Sequence, residues 1–376
     1  MAADSPSPFK LTPVILRNVR TFVPVSSKTL CLAMKGSLRG GSDLLIFLLR
    51  LGADINGALE EENKFLLRAL HLAAADGRLE DVKRLVGFGA RLEVKSVVGA
   101  TPLFLACKNG HLDVVEFLFQ KGAKIETTDQ VGGWTPVSIA SLHGHLEVVK
   151  FLSDRVAGLA VSNKDGETPL IGACRKGHLE VVKFLFGKRE TVARMDAVDK
   201  GVFAAAKNGF LSVVRFLFEN GGNIDTADGW LHETPLYAAA WKGHLETVEF
   251  LVENGASVDS ETKGGETPLF AAADNGWLEI VNFLSKKGAE VDCTNYNGST
   301  PLLRAVSQCD IPMVEFLLQK GAQIEKPNRG GRTPLKAAEE AGHTKVLELL
   351  RSRRASALED QVEMLQPFLE ECTKIA

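Results

Sequence analysis

Glu233-Thr234-Pro235-Leu236, Glu266-Thr267-Pro268-Leu269, Ser299-Thr300-Pro301-Leu302 and Arg332-Thr333-Pro334-Leu335 state one phrase four times, with 33 residues between successive threonines. Further landmarks recur between them: Gly243-His244-Leu245-Glu246 and Gly276-Trp277-Leu278-Glu279, then Gly255-Ala256, Gly288-Ala289 and Gly321-Ala322. A fixed period of this length marks a stacked-repeat architecture, in which each unit buries its apolar face only against its neighbours.

Each landmark has a physical reason. A threonine side chain caps the free amides at the start of a helix, and proline fits the first turn, where its missing N–H is not needed. Ala238, Ala239 and Ala240 let neighbouring helices approach closely. Gly243 ends the first helix in the left-handed conformation that glycine adopts cheaply. The second helix, Leu245 to Glu253, carries Val248, Leu251 and Val252 at helical spacing. Gly255-Ala256 closes it, and Ser257 to Glu266 forms a polar finger leading to the next cap.

Working outward, Thr101-Pro102, Thr135-Pro136 and Thr168-Pro169 follow at intervals of 34 and 33 residues. The next Thr-Pro comes 66 residues later, and the skipped unit is filled by Gly201-Val202-Phe203-Ala204-Ala205-Ala206-Lys207-Asn208-Gly209. An earlier unit, Leu70-His71-Leu72-Ala73-Ala74 to Gly89-Ala90, has Arg68-Ala69 in place of Thr-Pro. Before that, Leu30-Cys31-Leu32-Ala33 opens a unit that closes at Gly52-Ala53. About ten repeats therefore run from 28 to 354, the first two and the sixth degenerate. In the ninth, Cys309-Asp310 replaces Gly-His, which is expected to loosen the turn.

This pattern resembles the ankyrin-repeat family, whose 33-residue unit reads Thr-Pro-Leu-His-x-Ala. The resemblance implies an all-α solenoid of stacked helix-turn-helix units with projecting β-hairpin-like fingers. Residues 1–27 fall outside the register and are expected to form an N-terminal arm or cap, with Thr12-Pro13 opening a short helix. Residues 355–376 are expected to form a C-terminal capping or docking helix, with Leu358, Val362, Leu365, Leu369 and Cys372 along one face.

Hydrophobic residues make up 45% of the chain and charged residues 24%, the balance of a folded, water-exposed protein. With 44 basic and 47 acidic residues, the net charge of −3 gives no reason to expect nucleic acid as a partner. The apolar run Leu44 to Leu49 is far short of a bilayer span, so no membrane insertion is expected. Met1 to Lys10 lacks a basic start leading into an apolar stretch and is broken by proline, unlike a secretory leader. An intracellular monomer, cytoplasmic or nuclear, is the expectation. The six cysteines form no C-x-x-C pair, and Cys107 and Cys174 stand where other repeats carry small core residues.

Catalytic chemistry finds no foothold. His111, His145, His178 and His244 recur once per repeat, so they lie about 8–10 Å apart along a stack. A tetrahedral metal site needs ligands at about 2 Å from one ion. They are expected to hydrogen-bond at helix junctions. Gly132-Gly133, Gly264-Gly265 and Gly330-Gly331 lack the Lys-Ser/Thr of a phosphate loop and mark finger turns. No enzyme activity, metal or cofactor is expected.

The resemblance instead implies partner binding through the concave face of the first helices and the finger tips. Candidate contacts are the residues that vary there: Trp134, Leu142, His143, Arg175, Lys176, Lys207, Trp230, Leu231, Trp241, Lys242, Asp274, Asn275 and Tyr296. Tryptophan is enriched at binding hot spots, and Trp230 and Trp241 belong to one repeat. The expected function is a non-enzymatic scaffold or adaptor that binds a protein or peptide. The alternative is an effector or ubiquitin-ligase substrate adaptor whose working segment is a terminal extension.

Overall fold

The computed structural model describes residues 48–50, 52–57, 68–156, 158–188 and 195–356. The expected N-terminal arm, most of the first repeat and most of the stretch 355–376, where a C-terminal helix is expected, lie outside them. The chain divides into two compact units, Met1–Pro169 and Leu170–Ala376.

In the first unit the helices come in pairs: α1 (Ala69–Ala75) with α2 (Leu79–Gly87), α3 (Pro102–Asn109) with α4 (Leu112–Gln120), and α5 (Pro136–Leu142) with α6 (Leu146–Ser153). First helices pack on first helices and second on second. The second unit continues with α7 (Pro169–Lys176) and α8 (Leu179–Phe186), then α9 (Met195–Lys207) and α10 (Leu211–Glu219). Three more pairs or part-pairs follow as α11 (Pro235–Lys242) with α12 (Leu245–Glu253), α13 (Pro268–Asp274) with α14 (Leu278–Lys286), and α15 (Pro301–Gln308) with α16 (Ile311–Gln319). The last is α17 (Pro334–Ala341), followed by helical residues 344–356. Among the described residues there is no strand.

The caps act as their sequence implies. Thr101, Thr135, Thr234, Thr267, Thr300 and Thr333 each accept a hydrogen bond from the backbone amide three residues on, at 3.1–3.2 Å. Such a cap is worth about 1 kcal/mol. In α12 the buried side chains are Thr247, Val248, Phe250 and Leu251, while Val252 is half-buried. Ala238, Ala239 and Ala240 are buried in α11, at the contacts with α9 and α13.

Two degenerate repeats solve the missing Thr-Pro differently. In α1, the Arg68 amide donates to His71 Nδ1 at 3.2 Å, and His71 Nε2–H donates to the Ala100 carbonyl at 3.1 Å. His71, at the third helical position, thus bonds the amide of the capping residue itself, with its imidazole fixed as the Nε2–H tautomer. In α9 no proline interrupts the approach, and the helix begins six residues ahead of Gly201, absorbing the finger. A Cβ on Gly201 would stand 3.0 Å from Cys174 Sγ, so glycine there permits close packing of α9 on α7.

The fingers are hairpin-like turns, without strands among the described residues. They close on themselves through backbone bonds, such as Thr262 N–H to Glu266 O at 3.0 Å with Gly265 N–H to Thr262 O at 2.9 Å, and Asn295 N–H to Ser299 O at 3.1 Å with Gly298 N–H to Asn295 O at 2.7 Å. Neighbouring fingers are joined by single backbone bonds: Gln130 to Val98 in the first unit, and Lys263 to Leu231, Tyr296 to Gly264 and Arg329 to Asn297 in the second.

Candidate functional site

The junctions between repeats fix where the first helices end. His111 Nε2–H donates to the Ala75 carbonyl and His145 Nε2–H to the Lys108 carbonyl, both at 2.9 Å. Each ring lies flat over the glycine that ends the preceding first helix. A Cβ at Gly77 would sit 2.4 Å from His111 Nδ1, and one at Gly110 2.3 Å from His145 Nδ1. In the second unit Phe210 covers Gly177, His244 covers Gly209 and Trp277 covers Gly243 in the same way. Trp277 keeps the histidine's hydrogen bond too, its Nε1–H reaching the Trp241 carbonyl at 3.0 Å.

The ninth repeat departs from this. Cys309 holds the left-handed conformation, φ 60°, and Asp310 Oδ1 caps α16 by accepting from Met313 N–H at 3.1 Å. The turn is kept rather than loosened. The change falls on the next ring: with a Cβ in the way, His343 donates through Nδ1 to Val306 O, one residue further back than the usual acceptor.

In the first unit, Trp134 is half-buried and turned back on its own finger, where a Cβ on Gly132 would meet its Cδ1 at 2.4 Å. Its amide donates to Asp129 Oδ1. Leu142 ends α5 half-buried, and His143 is exposed with its ring 6.3 Å from that of His145.

In the second unit, Arg175 is half-buried and Lys176 exposed at the end of α7. Lys207 Nζ pairs with Glu233 at 3.1 Å and lies over the Phe203 ring. Asp274 accepts from Arg304 Nε at 2.5 Å and from Gln308 Nε2 at 2.9 Å. Asn275 folds back on the Ala271 carbonyl. These polar candidates are largely engaged within the chain. The large apolar ones remain exposed: Trp230 is 85% exposed, Tyr296 56% although its ring rests against Gly265, Leu231 51% and Trp241 38%. Lys242 is exposed beside Trp241.

Trp230 and Trp241 have separate neighbours. Trp241 lies 6.1 Å from the Tyr237 ring, while the Trp230 carbonyl accepts from Lys263 Nζ at 2.8 Å at a finger tip. Trp277, expected to be partly buried, still exposes 41% of its surface. The second unit thus presents two apolar patches, Trp241 with Trp277 and Trp230 with Leu231.

Beneath Trp241 lies a contact that the list of variable residues passed over. Tyr237 Oη–H donates to Glu266 Oε2 at 2.7 Å. Burial first, and Glu266 second, push the phenol's pKa well above its usual range, so it stays a donor. Tyr237 occupies the slot that holds His71 in the second repeat, and that register was the signal available in the sequence.

Thiol reactivity is suppressed at the three buried cysteines. Burial raises the pKa of Cys107 and Cys174 far beyond neutrality and pushes Cys293 up to about 12. Among the described residues, no helix is long and apolar enough to cross a membrane.

A family model described as "Ankyrin repeats (3 copies)" matches residues 30–129, 126–196, 202–295 and 287–360. Curated relatives match over shorter stretches. Protein phosphatase 1 regulatory subunit 27 of Homo sapiens is 41% identical over 66 residues, 18% of this chain and 43% of that protein. Protein fem-1 homolog C of Mus musculus is 42% identical over 74 residues, 18% of this chain and 11% of that protein. Probable E3 ubiquitin-protein ligase XBOS33 of Oryza sativa subsp. japonica is 34% identical over 86 residues, 22% of this chain and 16% of that protein. The matches thus span less than half the length of these relatives.

Proposed function

Because the chain belongs to the ankyrin-repeat family, whose repeats bind protein partners, we propose that it is a non-enzymatic scaffold or adaptor for a protein or peptide. Its docking surface is the first-helix face and finger tips of the second unit. The observation that carries this is the exposure of Trp230, Trp241, Leu231 and Tyr296 beside polar neighbours that satisfy one another. A stable fold gains nothing from leaving large aromatic side chains in water, whereas an interface draws most of its affinity from a few such anchors. The paired Lys207–Glu233 and Arg304–Asp274 groups surround the anchors with a polar rim, which sets selectivity more than affinity.

Trp134 belongs to the first unit, where its ring packs on its own finger. Residues 1–27 and 355–376 flank the array as cap or docking segments.

The test uses the tagged full chain and its Trp230→Ala/Trp241→Ala variant as baits in cell extract. Captured proteins are identified by mass spectrometry and the leading one is purified and titrated. The variant is expected to bind at least about tenfold more weakly, about 1.4 kcal/mol, with its helical circular dichroism unchanged. Equal affinity would move the site elsewhere.

A further inference from the structure

One slot in the fingers, two residues ahead of the first-helix cap, is glycine in six of the described repeats. Gly99, Gly133, Gly166, Gly265, Gly298 and Gly331 all have φ between 71° and 78°. In the finger before Thr234 that slot holds His232, at φ 59°. A side chain in this conformation is disfavoured by its own Cβ. His232 is exposed and makes no hydrogen bond or ring contact that would offset the strain. Strain kept where folding gains nothing is a mark of function.

The strained residue stands in a row. The tips Gly229–His232, Lys263–Gly265, Tyr296–Gly298 and Arg329–Gly331 are joined by the backbone bonds Lys263 to Leu231 and Tyr296 to Gly264, both 2.8 Å, and Arg329 to Asn297, 2.9 Å. Along the row the large side chains read Trp230 and Leu231, then Lys263, then Tyr296, then Arg329. None of the four tips carries a carboxylate. Of the carboxylates flanking the tips in sequence, Glu261 is exposed, whereas Asp228 accepts from the Leu231 and Glu233 amides, Glu233 pairs with Lys207, and Glu266 accepts from Tyr237. Lys263 and Arg329 are exposed.

Resting on the proposal that the array binds a protein, we propose that this tip row is the dock for an extended partner segment bearing acidic and large apolar side chains. Trp230, Leu231 and Tyr296 seat the apolar groups. Lys263 and Arg329 meet the carboxylates. Gly265 has no side chain, so the Tyr296 ring rests against it, where a Cβ would meet Tyr296 Cδ1 at 2.5 Å. A protein segment fits better than a nucleic acid strand, because Leu231 offers no stacking face and the four tips carry only two cations, Lys263 and Arg329.

The test pans a random dodecapeptide display library against the immobilised full chain. Two variants serve as comparison, Trp230→Ala/Tyr296→Ala and Lys263→Glu/Arg329→Glu, each checked by its thermal melt. Selected peptides are expected to combine Asp or Glu with Leu, Phe or Trp, and to bind the aromatic variant at least about tenfold more weakly. The charge variant is expected to select Lys- and Arg-bearing peptides instead. Selected peptides without acidic residues, or ones held equally by both variants, would overturn the assignment. So would salt-sensitive binding of fluorescein-labelled oligothymidylate that the charge variant abolishes while peptide selection stays empty. Peptides that ignore the tip variants but are lost on Trp241→Ala would sink the tip row and leave partner binding by the array standing. An empty selection with no captured partner would sink both.

Discussion

Replacing Gly243 by Ala isolates how repeats are registered against each other. Gly243 has φ 82°, and a Cβ there would come within 2.5 Å of Trp277 Cε2. Two costs add. The left-handed conformation costs an alanine about 1–2 kcal/mol. Displacing the indole also loses the Trp277 Nε1–Trp241 O bond of 3.0 Å, worth about 1 kcal/mol. Against these, alanine has less freedom than glycine in the unfolded chain, which returns about 0.4–1 kcal/mol. The net loss is about 2 kcal/mol. Gly255 supplies the control, since its φ is 93° yet nothing lies within 4 Å of a Cβ there. Gly255→Ala is expected to cost about 1 kcal/mol. Urea unfolding of the full chain, followed by far-ultraviolet circular dichroism, measures both, provided the slopes agree. In a Trp277→Ala background, Gly243→Ala should cost no more than Gly255→Ala, a coupling of about 1 kcal/mol. Equal costs for the two glycines in the parent chain would refute ring stacking as the registering contact.

Three further outcomes are expected. Burial lowers the pKa of His71 from 6.5 to about 4. As pH falls below 6.5 the unfolded chain takes up the proton first, so the first unit loses up to about 3 kcal/mol on the way to pH 4; an imidazole nuclear magnetic resonance signal for His71 titrating near 6.5 would contradict this. Cys309→Gly removes a strained Cβ and clears the space beside His343, and is expected to stabilise by about 1 kcal/mol in the same urea assay; a loss would show that the thiol packs. His232→Gly is expected to hold or raise the melting temperature while weakening peptide binding at the tips. A fall in melting temperature would mean that His232 is held there by packing.

The sequence disclosed what is local. Thr-Pro caps, the left-handed glycines and the alternation of first and second helices depend on residues within a few positions of one another, and all were legible. The long α9 follows from an absence, the missing Thr-Pro, and only its degeneracy could be read. The polar candidates fared differently. Lys207 and Asp274 vary between repeats and so resemble contact residues, yet their partners Glu233 and Arg304 lie 26 and 30 residues away. Each of these pairs links adjacent repeats. The sequence placed Trp230 and Trp241 in one repeat, but finger tip and helix end give them different neighbours.

Amide hydrogen exchange of the full chain, alone and with its purified partner, tests partner docking on the array most directly. Protection is expected at residues 229–232, 241–243, 263–265 and 296–298, where exposed aromatics and tip backbone meet. Protection confined to residues 1–27 or 355–376 would contradict it and assign binding to the terminal segments.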